Sequence, residues 1–186
     1  MKSAQFNPSE PPESHGVPSG GSQSFDEIYD QNFDFVWRCL RGLGVPAAGL
    51  DDAAQDVFLV VHRQLASFRG DSAPRTWLFG IARRVASNQQ RRSRRKQAPL
   101  EPLVMEPAHP GPSPLERVED AEAASFVGSF LEGLDEKKRD VFILAVLEEM
   151  TIPEVAAALS IPLNTAYTRL RKVSAVFERA LERHKS

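Results

Sequence analysis

The chain has 186 residues, with 23 Lys and Arg against 25 Asp and Glu and a formal net charge of −2. That length suits two small domains better than one. One cysteine, Cys39, excludes an internal disulfide, and no CxxC or Cys/His cluster offers metal spacing.

Residues 1–23 are polar and rich in Pro, Ser and Gly, and read as a disordered tail with no apolar run of the kind a secretion signal needs. No stretch approaches the roughly 20 apolar residues of a bilayer span. A cytoplasmic protein in a reducing compartment is therefore expected. Ser24 and Glu27 form an S-x-x-E capping box ahead of Ile28, Phe35, Val36, Cys39, Leu40 and Leu43 at helical spacing, and Gly42 and Gly44 close that helix. Asp51 is the expected cap of a second helix whose buried stripe is Ala54, Val57, Phe58, Val61 and Leu65. Phe68 to Pro74 reads as a loop. A third helix from about Pro74 carries Trp77, Leu78, Ile81, Ala82 and Val85 on one side. These three amphipathic helices, residues 24–96, should share one small core.

The overall charge hides an asymmetry. No acidic residue occurs from Ser72 to Leu100, whereas Arg75, Arg83, Arg84, Arg91, Arg92, Arg94, Arg95 and Lys96 all fall there. From Gln97 to about Val118, repeated prolines (Pro99, Pro102, Pro107, Pro110, Pro112 and Pro114) predict an extended tether, residues 97–118. Four helical segments follow within residues 119–186, at about Glu119–Leu131, Asp135–Glu149, Pro153–Leu159 and Asn164–His184. No useful β alternation appears, so the predicted fold class is all-α, two small helical domains on a flexible linker.

In the second domain Thr151 is the expected cap of a short helix with Pro153 in its first turn and Val155, Ala156 and Leu159 on its buried side. Ser160-Ile161-Pro162 makes a brief turn, and Asn164 is the expected cap of a longer helix. Short helix, tight turn and longer helix is the helix-turn-helix order, in which the second helix enters the major groove. Ala166, Leu170, Val173, Phe177 and Leu181 share one side of that helix, with Thr168, Arg171, Lys172, Ala175 and Arg179 on the other. The basic side suits phosphates and base edges, and Tyr167 and Thr168 near the amino end can reach bases or backbone. A basic stripe alone also describes an ordinary solvated face, but the Pro-containing turn between two capped helices favours DNA.

In the first domain Asp52, Gln55 and Asp56 share an exposed helix face at i, i+3 and i+4. A cationic partner surface would suit them, and so would a solvated acidic first turn favoured by the helix dipole. Phe68, Arg69 and Ser72 ahead of a basic helix offer stacking groups beside positive charge, as single-stranded nucleic acid requires. Trp77 shares the apolar side and is read as core. The Arg91–Lys96 run is either a binding surface or a frayed, solvated helix end. No Gly-rich phosphate loop and no paired nucleophile and base are found, so no enzyme, cofactor or metal is expected.

The stretches Leu50-Asp51-Asp52-Ala53-Ala54-Gln55-Asp56-Val57-Phe58, Phe68-Arg69-Gly70 and Thr76-Trp77-Leu78-Phe79-Gly80-Ile81-Ala82-Arg83, followed by the helix-turn-helix, resemble the extracytoplasmic-function sigma factors of bacterial RNA polymerase. The resemblance implies that residues 24–96 are sigma region 2 and residues 119–186 sigma region 4. It implies that Asp52, Gln55 and Asp56 dock on the β′ clamp helices of core polymerase, which also meets the chain through its β subunit. It places −10 contacts at Phe68, Arg69, Ser72, Arg75, Arg83, Arg84, Asn88, Arg91 and Arg92. It places −35 contacts at Asn164, Thr165, Tyr167, Thr168, Arg169, Arg171 and Lys172. It further implies promoter DNA and an anti-sigma factor, often a membrane-anchored one, as partners. Glu149 and Ser160 stand where the family frequently has glycine. A stand-alone helix-turn-helix regulator that needs no polymerase is the alternative reading, and an adaptor that binds only proteins is a third.

Overall fold

The computed structural model describes residues 24–68, 70, 73–95 and 114–184, leaving the N-terminal tail, most of the expected tether, Arg69, Asp71 and Ser72 outside. Among the described residues there are seven α-helices and no strand, as the all-α reading requires.

Helix α1, Phe25–Gly42, starts with the expected box: Ser24 Oγ accepts from the Glu27 N–H, and a Glu27 carboxylate oxygen accepts from the Ser24 N–H. It ends where Gly44 takes φ +85°, and the Gly44 and Val45 N–H groups donate to the Arg41 and Leu40 carbonyls. A 3-10 turn at Ala47–Gly49 then runs straight into α2, Leu50–Gln64. Asp51 is therefore already inside the first turn and is not the cap, because Pro46 starts helical backbone earlier than the periodicity shows. A second 3-10 turn, Leu65–Ser67, leads to α3, Pro74–Arg95. Helix α3 buries Leu78, Ile81, Ala82 and Val85 as expected, and also Phe79 and Ala86. Its buried arc is wide because it packs on α1 and α2 and also on a helix of the second unit. Trp77 packs against the core as expected but only half-buried, with its ring also stacked on Phe68.

Helix α4, Pro114–Glu132, opens several residues before the expected Glu119. Proline is tolerated in a first turn, which is where Pro114 stands. Phe126 and Phe130 of α4 meet Phe177, and Phe130 also meets Phe142, with ring centroids 5.0 to 5.9 Å apart. The expected helix from Asp135 to Glu149 is interrupted. Helix α5, Glu136–Phe142, is capped by Asp135, whose carboxylate accepts from the Lys138 N–H, and it widens into a π turn at Ile143–Leu147. There the Glu148 N–H reaches back five residues to the Ile143 carbonyl. Helix α6, Ile152–Leu159, is capped at Thr151, whose N–H and hydroxyl both donate to Glu154. Those two bonds hold the Glu154 carboxyl below its usual pKa.

The last helix is α7, Leu163–His184. Asn164 is not its cap. The Pro162 carbonyl takes the Thr165 and Ala166 N–H groups, so the helix starts one residue earlier and Asn164 lies in its first turn.

The two units pack on each other. Helix α6 lies against α3 and the π turn against α1, so a single cluster of buried residues runs from Ile28 to Val173. Gly42 allows this approach, since a β-carbon there would come within 3.0 Å of Ile143.

Candidate nucleic-acid and polymerase interface

Asp52, Gln55 and Asp56 are exposed on α2, whose opposite side buries Ala53, Ala54, Val57 and Phe58. Asp56 also borders a cleft of about 210 Å³ between α2 and α3, lined with Leu59, Val60, Arg63, Asn88 and Arg92. Leu59 is 48% exposed, a large apolar side chain beside the acidic face that the sequence expectations did not include. An apolar residue on the polar side of an amphipathic helix was the available signal.

The expected −10 residues divide into three groups. Phe68 stacks on Trp77 with centroids 4.5 Å apart and planes 19° from parallel, while Arg69 and Ser72 lie outside the described residues. Arg84, Asn88 and Arg91 form an exposed stripe one turn apart along α3, with Arg92 beside it. Arg75 and Arg83 do not join that stripe. The Arg75 guanidinium lies 5.2 Å from the Phe35 ring centroid. Arg83 Nη2 bonds Glu136 at 2.7 Å, and its Nε lies 2.8 Å from Asp140, both partners belonging to the second unit.

On α7 the expected −35 residues Asn164, Tyr167, Thr168, Arg171 and Lys172 are exposed, while Thr165 and Arg169 are half-buried. Buried Ala166 and Val173 hold the opposite side against the domain. Thr168 Oγ1 donates to the Asn164 carbonyl at 2.8 Å, which keeps its side chain folded along the helix. Ser160 makes the bend between α6 and α7 with φ +51°, and its N–H and that of Ile161 return to the Ala157 and Ala156 carbonyls. Two helices joined in this way, with the second offering a basic exposed face, are a DNA-reading helix-turn-helix.

Sequence comparison agrees with this architecture. Residues 28–96 match the family model for sigma-70 region 2, and residues 127–174 match that for sigma-70 region 4. The ferric citrate uptake sigma factor FecI of Escherichia coli is 33% identical over 146 residues, 77% of this chain and 83% of FecI. The RNA polymerase sigma factor CnrH of Cupriavidus metallidurans is 27% identical over 172 residues, 88% of this chain and 90% of CnrH. Among solved structures, CnrH in complex with the cytosolic domain of CnrY superposes with a TM-score of 0.62 at 25% identity, covering 88% of this chain and 90% of the other. The sigma factor RpoE of Bartonella quintana, solved with the anti-sigma factor NepR, gives 0.65 at 20% identity over 85% and 96% and shows the shared fold.

The two sigma-70 matches and the FecI relative define a transcription-initiation factor, a class that is non-enzymatic. The chain belongs to the extracytoplasmic-function sigma factors. No helix among the described residues is long and apolar enough to cross a membrane.

Proposed function

We propose that this sigma factor divides its work among three surfaces. The exposed Asp52, Gln55 and Asp56 face of α2, with Leu59 beside it, docks on the clamp helices of the polymerase β′ subunit. The Phe68–Trp77 stack and the Arg84, Asn88, Arg91 and Arg92 stripe take the opened −10 strand, through stacking and through phosphate contacts respectively. The exposed face of α7 reads the −35 element, with Arg171 and Lys172 reaching base edges or phosphates and Tyr167 and Thr168 contacting the flanking backbone.

The observation that carries this reading is the exposure of all three polar groups on α2 above a wholly buried apolar side. A solvated acidic first turn would not account for Gln55 and Asp56 or for the exposed Leu59 next to them. CnrH and the Bartonella RpoE were both solved with regulatory partners, which supports an anti-sigma partner for this chain as well. Replacing Asp52, Gln55 and Asp56 together by Ala should lower affinity for core polymerase by on the order of tenfold or more, about 1.4 kcal/mol or above. Unchanged affinity would remove the docking role from this face.

A further inference from the structure

We propose that the amino end of α7 is a thymine-methyl reader, in which Leu163 and the ring of Tyr167 cover the 5-methyl group of one thymine, or of two consecutive ones, in the duplex element that α7 contacts. The proposal deepens the −35 reading of α7 given above and rests on it.

Leu163 is 45% exposed and Tyr167 53%. One exposed apolar side chain on a protein surface is ordinary. These two stand four residues apart on the same helix, so their β-carbons are neighbours about 6 Å apart. Among the described residues no other pair of exposed large apolar side chains has that relation. Helix α7 has a buried side that could have taken them: Ala166 and Val173 are fully buried, and Leu170 and Phe177 pack against the core. Leu163 and Tyr167 lie off that side, in a row that continues to the exposed Arg171.

The backbone puts the pair at the end of the helix that enters a groove. Ser160 makes its bend at φ +51°, the Ile161 N–H closes α6 on the Ala156 carbonyl, and the Pro162 carbonyl takes the Thr165 and Ala166 N–H groups. Leu163 is thus inside the first turn of α7 and not in the connection before it, so regular helical backbone aims its side chain. In a helix-turn-helix the first residues of the second helix are the ones that meet base edges.

The chemistry of the two side chains selects the base. In the major groove, thymine alone among the four bases presents a methyl group. A leucine pressed on any hydrogen-bonding edge would strip water from donors or acceptors and offer nothing in return. Against a methyl it buries apolar surface on both partners. Tyr167 suits the same contact without giving up its backbone role, because its ring can lie on a methyl while its hydroxyl reaches the flanking phosphate. Four residues advance about 6 Å along the helix axis, less than two base-pair rises of about 3.4 Å. That reach limits the contact to one thymine or two in succession.

The test uses polymerase holoenzyme containing the full chain. A promoter is selected from duplexes randomised in the −35 region, and each of its −35 thymines is then replaced singly by deoxyuridine, which removes the methyl and keeps the hydrogen-bonding edge. Holoenzyme affinity, measured by competition, should fall about fourfold at one thymine or at two consecutive ones, the effect of losing one buried methyl, and hold at the others. The parent measurement needs no substituted protein, so it does not depend on how any variant folds. Leu163→Ala should bind the thymine and deoxyuridine promoters equally at one sensitive position. Tyr167→Ala should lose methyl preference, whereas Tyr167→Phe should keep it. A preferred −35 sequence in which no deoxyuridine weakens binding overturns the proposal alone, and so does a methyl preference that both alanine variants retain in full. Loss of core polymerase affinity in Leu163→Ala without any methyl effect gives the pair to a protein partner and overturns it too. A selection that returns no preferred −35 sequence removes the −35 reading of α7 itself, and the proposal with it.

Discussion

An Asp140→Asn variant should change how the fold responds to pH. The Asp140 carboxyl is 2% exposed; one oxygen lies 2.8 Å from Arg83 Nε without the alignment of a hydrogen bond, and the other has no hydrogen-bond partner. Burial pushes its pKa up from 3.8 to about 6, with Arg83 pulling the other way and Glu136 adding to the rise. Desolvation of the charged form therefore outweighs the attraction of the guanidinium. A tenfold change in proton affinity corresponds to about 1.4 kcal/mol, so the rise amounts to about 3 kcal/mol. Because the folded-state value is the higher one, the folded chain still holds a proton that the unfolded chain has released. The stabilising contribution is complete below about pH 4 and is lost as pH climbs through about 6. Asparagine keeps the shape, removes the titration and leaves the Arg83–Glu136 bond in place. Urea unfolding of both chains, followed by circular dichroism from about pH 4 to pH 7, should show the stability difference moving toward the variant by up to about 3 kcal/mol. Two curves that stay parallel across that window would refute the reasoning.

Ser160→Gly should raise stability by up to about 1 kcal/mol, since a left-handed φ of +51° strains any residue with a β-carbon; chemical denaturation reads this, and a loss would show that the Ser160 side chain contributes more than the strain costs. Cys39 is fully buried and burial raises its thiol pKa well above the ordinary value, so native protein should resist a thiol reagent that reacts at once in denaturant. Rapid native modification would mean that the α1 core opens locally. Arg171→Ala and Lys172→Ala should each weaken promoter binding by polymerase holoenzyme, by about 1–3 kcal/mol where the side chain reads a base. A change confined to the salt dependence would assign that residue to phosphate instead.

Much of the fold is legible in the sequence because its helices carry strong local signals. The Ser24–Glu27 box, the Thr151 cap and the apolar stripes of α1 and α2 are written in short-range spacing, and each places an element correctly. Differences arise where backbone begins or ends helical geometry without a side-chain signature. Asp51 and Asn164 have the right chemistry for caps, yet the turns at Pro46 and Pro162 start each helix before them. The π turn at Ile143 is equally invisible, because a one-residue widening leaves an apolar run still apolar. Glu149 and Ser160 are the informative exceptions: standing where the family often has glycine, both take positive φ.

At the candidate site the exposed faces of α2 and α7 follow from periodicity alone. What periodicity does not show is the side-by-side packing of the two units. Arg75 and Arg83 look like two more members of a basic face in the sequence, but one lies over Phe35 and the other between carboxylates 53 and 57 positions away. Phe79 escapes the periodic pattern for the same reason, as its burial is imposed by long-range packing around α3.

Transcription in vitro from a pool of promoter templates, with core polymerase present and this chain either added or withheld, bears most directly on the central claim. Specific start sites should appear only when both are present and disappear when Asp52, Gln55 and Asp56 are replaced together. Site-specific binding of the chain to duplex DNA, with the same affinity whether polymerase is present or absent and no new start sites, would contradict it.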